Sequence, residues 1–354
     1  MTTYDIALVP GDGVGGEVVA AGREVLDAVA RTSDADIGFA WTTYDWGSGY
    51  FAEHGRMMPE DGLDLLAPHD AIYFGAVGSA QVPDHVSLWG LRLRICQGLD
   101  QWANVRPVRF LPNVPTPLRT TGADLDWVVV RENSEGEYAG LGGRNLSGRG
   151  PGNEVAVQTS LFTEKGCERI MRYAFELART RPRRRLTSVT KSNAQQYGMV
   201  LWDEVFTRLR ADYPDVETDS CLVDAMAARF VLRPASLDVI VASNLNADIL
   251  SDLGSAMAGS LGLAASANLD PERRHPSMFE PVHGSAPDIA GLGVANPVGA
   301  IESGALMLEH LGQDADAARL RRAVDAAAAA GVLTPDLGGT ASTADVVRAV
   351  LDHL

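Results

Sequence analysis

Short apolar runs alternate with helical patterns along nearly the whole of this 354-residue chain, and that alternation constrains its fold more than any other feature. Asp5 to Val9, Ala71 to Phe74, Trp127 to Val130 and Val239 to Ala242 read as strands. Gly15 to Arg31, Lys165 to Arg179, Ala194 to Ala211, Ala315 to Ala330 and Thr343 to Leu354 carry helical periodicity. Strands separated by helices predict an α/β fold. Because the strands are continuously apolar rather than alternating, the sheet should be covered on both faces. The run from Ala323 is a strong helix former that Gly331 should stop.

The stretch from Asn133 to Asn153 breaks this rhythm, with glycine at 136, 140, 142, 143, 148, 150 and 152. It reads either as a disordered insertion or, because the strand-like Val155 to Phe162 follows, as a β-arm that clasps another subunit.

Charge narrows the partners. With 30 basic against 46 acidic residues the net charge is −16, which argues against a nucleic-acid or anionic-membrane surface. No run approaches the roughly 18 apolar residues of a membrane span, and no basic region precedes the first strand, so a cytoplasmic location is expected. Three cysteines, Cys96, Cys167 and Cys221, without a CxxC spacing suggest free thiols in a reducing compartment. Only two of the 30 basic residues are lysines, Lys165 and Lys191. Arginine cannot serve as a proton-transfer base whereas a perturbed lysine can, so the retained lysines invite inspection.

Gly11, Gly13 and Gly16 match GxGxxG between a strand and a helix. A Rossmann unit would need an acidic residue after a second strand about 20 residues on, yet the helix here already runs to Arg31, and Asp12 would set a carboxylate beside a pyrophosphate. The Rossmann reading is therefore disfavoured. Asp248 and Asp252 stand one helical turn apart, where like charges repel. Asn244 as helix cap and the helix dipole would account for them structurally, while Asp224 as a third carboxylate would make an oxygen-only set suited to Mg²⁺ or Mn²⁺.

Lys191 follows an apolar strand, where open α/β sheets place ligands, whereas Lys165 opens an amphipathic helix and needs no chemistry. Near a metal and arginines, the pKa of Lys191 would fall toward that of a general base. Arg106 and Arg131 each close an apolar strand, and guanidinium groups there suit bidentate carboxylate binding. The segment Glu280 to Asp288, continuing to Asn296, joins turn-forming residues to His283, hydroxyls and amides. A structural loop would also explain it.

In this order, VPGDGVGGEV, NVRP, VVRENSEGEY, TKSN, VDAMA, SNLNADILSD, EPVHGSAPDIAG and VANP resemble the β-decarboxylating dehydrogenases, the family of isocitrate, isopropylmalate, tartrate and D-malate dehydrogenases, over essentially the whole chain. HGRMMPEDG, GAVGSAQVPDHVSLWG and RYAFELARTRPRRRLTS look most like the tartrate and D-malate branch. The resemblance implies an isopropylmalate dehydrogenase-like α/β fold that binds NAD without a Rossmann unit. It further implies a large cofactor domain from residues 1–101 and 254–354, a small substrate and dimerisation domain over 102–253 with a Gly-rich arm near 134–162, and a homodimer with shared active sites.

Carried over by the same resemblance, Lys191 of a partner subunit would take the C2 hydroxyl proton during hydride transfer, and Tyr138 would protonate C3 after decarboxylation. Asp224 of the partner, with Asp248 and Asp252, would hold Mg²⁺ or Mn²⁺ as Lewis acid. A monovalent cation is a further candidate cofactor. Arg106 and Arg131 would clamp the substrate carboxylates, with Ser87 and Asn193 beside them. Glu280, His283, Gly284, Ser285, Ala286, Asp288, Ile289 and Asn296 would bind NAD. A carboxylate at 288 favours NAD over NADP because it would repel a 2′-phosphate.

Two departures stand out. Family members carry a substrate-binding arginine ten residues before that of NVRP, and here position 96 is Cys. Arg92, one helical turn earlier, is then expected either to replace the missing charge or to read an anionic or polar group on C3. Beside the metal ligands, Asn246 and Ala247 replace a family Phe-Gly pair. Together they leave tartrate, D-malate and an unusual 3-substituted malate open as substrates. A catalytically inert regulatory subunit of the same fold is the alternative of another class, but such a subunit would have no reason to keep Tyr138, Lys191 and all three aspartates.

Overall fold

The structure, a computed structural model, describes residues 2–119 and 125–354. Its strands are β1 (Thr2–Gly11), β2 (Ile37–Thr43), β3 (Ala71–Ala76), β4 (Ala103–Arg109), β5 (Asp126–Glu132), β6 (Gly136–Asn145), β7 (Val155–Leu161), β8 (Arg185–Thr190), β9 (Glu217–Leu222), β10 (Val239–Ala242), β11 (Ala265–Leu269) and β12 (Ser277–Pro281). The helices are α1 (Gly15–Arg31), α2 (Ser48–His54), α3 (Gly62–Leu66), α4 (Asp84–Gly90), α5 (Arg92–Gly98), α6 (Glu164–Thr180), α7 (Gly198–Leu209), α8 (Val223–Leu232), α9 (Asn244–Ala258), α10 (Val298–His310), α11 (Asp314–Ala329) and α12 (Thr343–Leu351). No helix among the described residues is long and apolar enough to cross a membrane.

The chain separates into two compact units, one of residues 1–101, 105–126 and 254–354 and one of 102–104 and 127–253. Residues 105–126 thus belong with the first unit, although the sequence reading set them in the smaller domain. Side chains there bond to that unit: Arg109 donates to Asp325 at 2.9 Å and pairs with buried Glu302, Asn113 donates to the Ala329 carbonyl, and Thr116 to that of Met257.

In the first unit the strand order is β2-β1-β3-β12-β11-β4, with β1, β2, β3 and β12 mutually parallel and β11 antiparallel to β12. Ile6, Ala7 and Val9 of β1 and Ile72 and Phe74 of β3 are wholly or almost wholly buried, as continuously apolar strands covered on two faces must be. Helix α1 buries Val18, Val19, Val25, Leu26 and Val29 along one face. Nearly all of α10 is buried, Gly299, Ala300, Gly304 and Ala305 included.

In the second unit the order β5-β10-β8-β9 is parallel throughout. Phe175 of α6 stacks on Phe206 of α7 and on Tyr213, and Trp127 meets Phe230 edge-on. The glycine-rich segment is an antiparallel hairpin of β6 and β7, not a loop, and it leaves Leu141, Val155, Val157 and Leu161 exposed.

Two helix ends differ from the sequence reading by three residues or more. Helix α7 begins at Gly198 rather than Ala194, because 191–197 form a turn in which the amides of Ala194 and Gln195 both donate to the Lys191 carbonyl. A Cβ at Gly198 would stand 2.3 Å from the Phe162 ring, so that ring can seat only against glycine. The last helix stops at Leu351, three residues early. All three cysteines are free, two of them buried.

Candidate active site

Strand β5 delivers Arg131 into a buried position in the second unit, where it is 2% exposed. Its Nε donates to Asn244 Oδ1 at 2.9 Å, its Nη1 pairs with Asp248, and the guanidinium carbon lies 5.3 Å from the centre of the Tyr138 ring. Asn244 in turn donates to the Glu135 carbonyl at 3.2 Å, which ties the start of α9 to the base of the hairpin. An expected substrate clamp, proton donor and metal ligand therefore meet through β5, β6 and α9. Asn244 does not cap α9 with its side chain as expected, because the buried guanidinium takes its oxygen. Asp252 follows Asp248 by one turn on the same helix.

Lys191 and Asp224 form a second cluster in this unit. Thr190 of β8 pairs in register with Leu222 of β9, so the residues just beyond the two strand ends emerge side by side. Lys191 Nζ hydrogen-bonds Asp224 Oδ1 and holds that carboxyl below the usual aspartate range. Asp224 keeps 64% of its side chain exposed. Among the described residues no group of three or more His, Cys, Asp or Glu side chains is arranged to hold a metal within one chain. Asn193 is exposed in the turn after Lys191.

In the first unit Arg106 is buried on β4, and Ser87 is buried on α4 with its hydroxyl donating to the Asp84 carbonyl. Cys96 is fully buried in an apolar cluster with Val9, Trp46, Met57, Phe74, Leu91 and Ile95. Arg92 lies in a buried ion-pair cluster of the first unit. Its Nε and Nη2 both reach Glu280 Oε1, at 2.8 and 2.7 Å, and Nη2 also donates to Asn268 Oδ1. Asn268 Nδ2 completes the cluster on Glu280 at 2.7 Å. Arg92 thus pairs with a residue expected to face the cofactor, as Arg131 pairs with an expected metal ligand.

The expected cofactor segment follows β12. His283 Nδ1 lies 2.9 Å from the Gly284 carbonyl, and burial lowers the imidazole pKa. Ser285 is buried, Gly284 and Asp288 are exposed, and the Ile289 amide closes a turn on the Ala286 carbonyl at 3.1 Å. Ala286 holds φ +38°, outside the range favoured by L-residues. Buried Asn296 donates to Asp336 at 3.0 Å and accepts from the Val298 amide, so its amide is fixed by its own unit.

Sequence reasoning passed over Glu132, although it stands beside Arg131. Burial pushes its pKa up to about 7, outweighing the hydrogen bonds it accepts from the amides of Ser134 and Glu135. Arg169 lies 3.9 Å away, held over the Trp102 ring. Glu17 and Asp12 were likewise read only as parts of a glycine motif. Acidic residues inside a short polar turn were the available signal.

Residues 5–350 match the family model described as isocitrate/isopropylmalate dehydrogenase. The chain is 58% identical over its whole length to a probable tartrate dehydrogenase/decarboxylase of Agrobacterium vitis, of which 98% is covered. It is 48% identical to a D-malate dehydrogenase [decarboxylating] of Escherichia coli K12, over 99% of this chain and 98% of that one. A crystal structure of isocitrate dehydrogenase from Methylococcus capsulatus superposes with a TM-score of 0.89 at 34% identity, covering 99% of both chains. Sequence and fold agree over the same span, and the chain belongs to the isocitrate/isopropylmalate dehydrogenase family.

Proposed function

We propose that the chain oxidises a malate-type 2-hydroxy acid, of the tartrate or D-malate kind, with NAD as hydride acceptor and a divalent cation as Lewis acid, and that β-decarboxylation follows. Its family and the names of its relatives make it a decarboxylating dehydrogenase. The observation that carries the finer reading is the convergence of Tyr138 and Asp248 on the buried guanidinium of Arg131.

The chemistry assigned to this chain's residues is economical. Arg131 and Arg106 each hold a substrate carboxylate by charge-assisted hydrogen bonds. Lys191 would accept the C2 hydroxyl proton as C2 is oxidised, and NAD, held by the 280–296 segment, would supply the hydride acceptor when bound. The C3–carboxylate bond then breaks to release CO₂, and Tyr138 supplies the proton that C3 takes up. Asp248 and Asp252, one turn apart on α9 and purely oxygen donors, fit Mg²⁺ or Mn²⁺, which would relieve their mutual repulsion. Such an ion would polarise the substrate oxygen when bound.

Asp224, paired with Lys191 and mostly exposed, is proposed to complete the metal set of a second copy of the chain, with Lys191 as that copy's base. Exposed Leu141, Val155 and Val157 on the hairpin, Val231 and Leu232 on α8, and Ile249 on α9 support a homodimer through this unit. Neutralisation of Arg92 by Glu280 counts against the anionic 3-substituted malate.

The test is NADH and CO₂ formation from D-malate, the tartrate isomers, isopropylmalate and isocitrate with Mn²⁺, with Lys191→Met as control. Turnover confined to malate-type acids supports the reading. No turnover across the panel, together with an effect on a related active enzyme, would favour the inert regulatory subunit.

A further inference from the structure

The turn Pro10-Gly-Asp-Gly-Val-Gly-Gly-Glu17 plays no part in the site above, yet several of its polar groups bond to other segments of the first unit. The Asp12 carboxylate accepts from the Ser48 amide at 2.7 Å, the Ser48 hydroxyl at 2.9 Å and the Gly78 amide at 2.9 Å. The Val14 amide donates to the Ser285 carbonyl at 2.8 Å. That approach needs glycine next door, since Gly13 holds φ +56° and a Cβ there would stand 2.0 Å from the same carbonyl oxygen.

Glu17, in the first turn of α1, reaches the far end of the same loop. Its two carboxylate oxygens accept from the amides of Gly291 and Gly293, the latter at 3.2 Å. Both glycines hold positive φ, +78° and +66°, a conformation that lets nearby amides converge on one anion. Residues 285–293 are therefore tethered at both ends to the start of α1. Between the tethers lie Ala286 in its sparsely populated conformation, Asp288 and Ile289. A strained residue of that kind persists only where its surroundings over-determine it.

We infer that Glu17 is a positioning residue for the dinucleotide, acting through the backbone of the 285–293 loop. The inference rests on the reading of that loop as the NAD-binding segment. With the Glu17 carboxylate in place the loop is pre-organised. Without it the competent fraction falls, and apparent affinity falls by the same factor. Turnover at saturating NAD changes far less, because bound cofactor itself orders the loop.

Full-length Glu17→Ala and Glu17→Gln proteins are titrated with NADH by fluorescence and assayed at varied NAD. Losing two hydrogen bonds to an anion should raise the NADH Kd and the KM for NAD by about ten-fold or more in Glu17→Ala. The KM for the hydroxy acid and the thermal midpoint should stay near wild type, and Glu17→Gln, which keeps one acceptor oxygen, should fall between. An unchanged Kd in Glu17→Ala overturns the proposal. Parallel losses in kcat, both KM values and thermal midpoint would show a purely structural role and overturn it too. A wild-type chain that fails to bind NADH would instead overturn the cofactor reading itself.

Discussion

Lys191 and Asp224, 33 residues apart in sequence, bond to each other because they leave the ends of adjacent parallel strands in register. Among the described residues Asp224 does not join Asp248 and Asp252 in a three-carboxylate group within one chain.

Lys191→Met should lower kcat by the roughly 10²- to 10⁴-fold typical of a lost general base. Lys191→Arg should fare no better, since a guanidinium does not give up its proton. If sites are shared, mixing Lys191→Met chains with Asp248→Asn chains under subunit exchange should restore activity, because a heterodimer then holds one site with every group intact. Failure to recover activity, with exchange verified by mass, would place both residues in one chain's site.

Arg131→Lys should be far from conservative. The planar guanidinium serves Asn244 and Asp248 at once, and an ammonium can reproduce neither that geometry nor the stacking over Tyr138. Steady-state kinetics should show kcat/KM down by about 30-fold or more, the 2–5 kcal/mol expected when a buried charge pair is disrupted. Retention of wild-type kinetics would remove Arg131 from the substrate site.

Arg92→Ala tests the ion pair at position 92. It should cost about 3–5 kcal/mol in unfolding experiments, since it strands a buried carboxylate at Glu280. Arg92→Met combined with Glu280→Gln should recover most of that. In any variant that folds, the KM for the hydroxy acid should move less than the KM for NAD. The opposite pattern would return Arg92 to the substrate.

Glu132 makes stability pH-dependent with a definite sign. Its carboxyl titrates near 4.5 when unfolded and about 7 when folded, so the native state binds the extra proton across that window. Unfolding free energy should therefore fall as pH rises from about 4.5 to 7, by at most on the order of 3 kcal/mol from this group, and level off above. Thermal melts of Glu132→Gln should lack that component. A wild-type slope unchanged by the substitution would assign it elsewhere.

Asp288→Lys should move the cofactor preference toward NADP. Replacing a carboxylate that repels a 2′-phosphate with an ammonium should shift the ratio of kcat/KM values by at least about ten-fold, equivalent to about 1.4 kcal/mol. An unaltered ratio would separate Asp288 from the adenine ribose.

Periodicity made the alternating elements legible in the sequence, because a strand or helix is declared by residues within one or two turns of each other. Strands β1, β3, β5 and β10 and helices α1, α6 and α11 fall within a few residues of where the pattern put them. Helix α7 did not, because residues 191–197 form a turn on the Lys191 carbonyl that local periodicity does not register. Motifs placed Arg131, Tyr138, Lys191 and the three aspartates as candidates, since each carries its residue type and its strand or helix end in a short stretch of chain. What tertiary structure alone decided is which of them touch. Arg92 and Glu280 are 188 residues apart, Arg131 and Asp248 117, Glu17 and Gly291 274, and no local rule pairs them. The fold brings those groups together, and desolvation favours pairing a buried charge such as Arg92 with its opposite, Glu280, a partnership that no stretch of sequence near Cys96 announces.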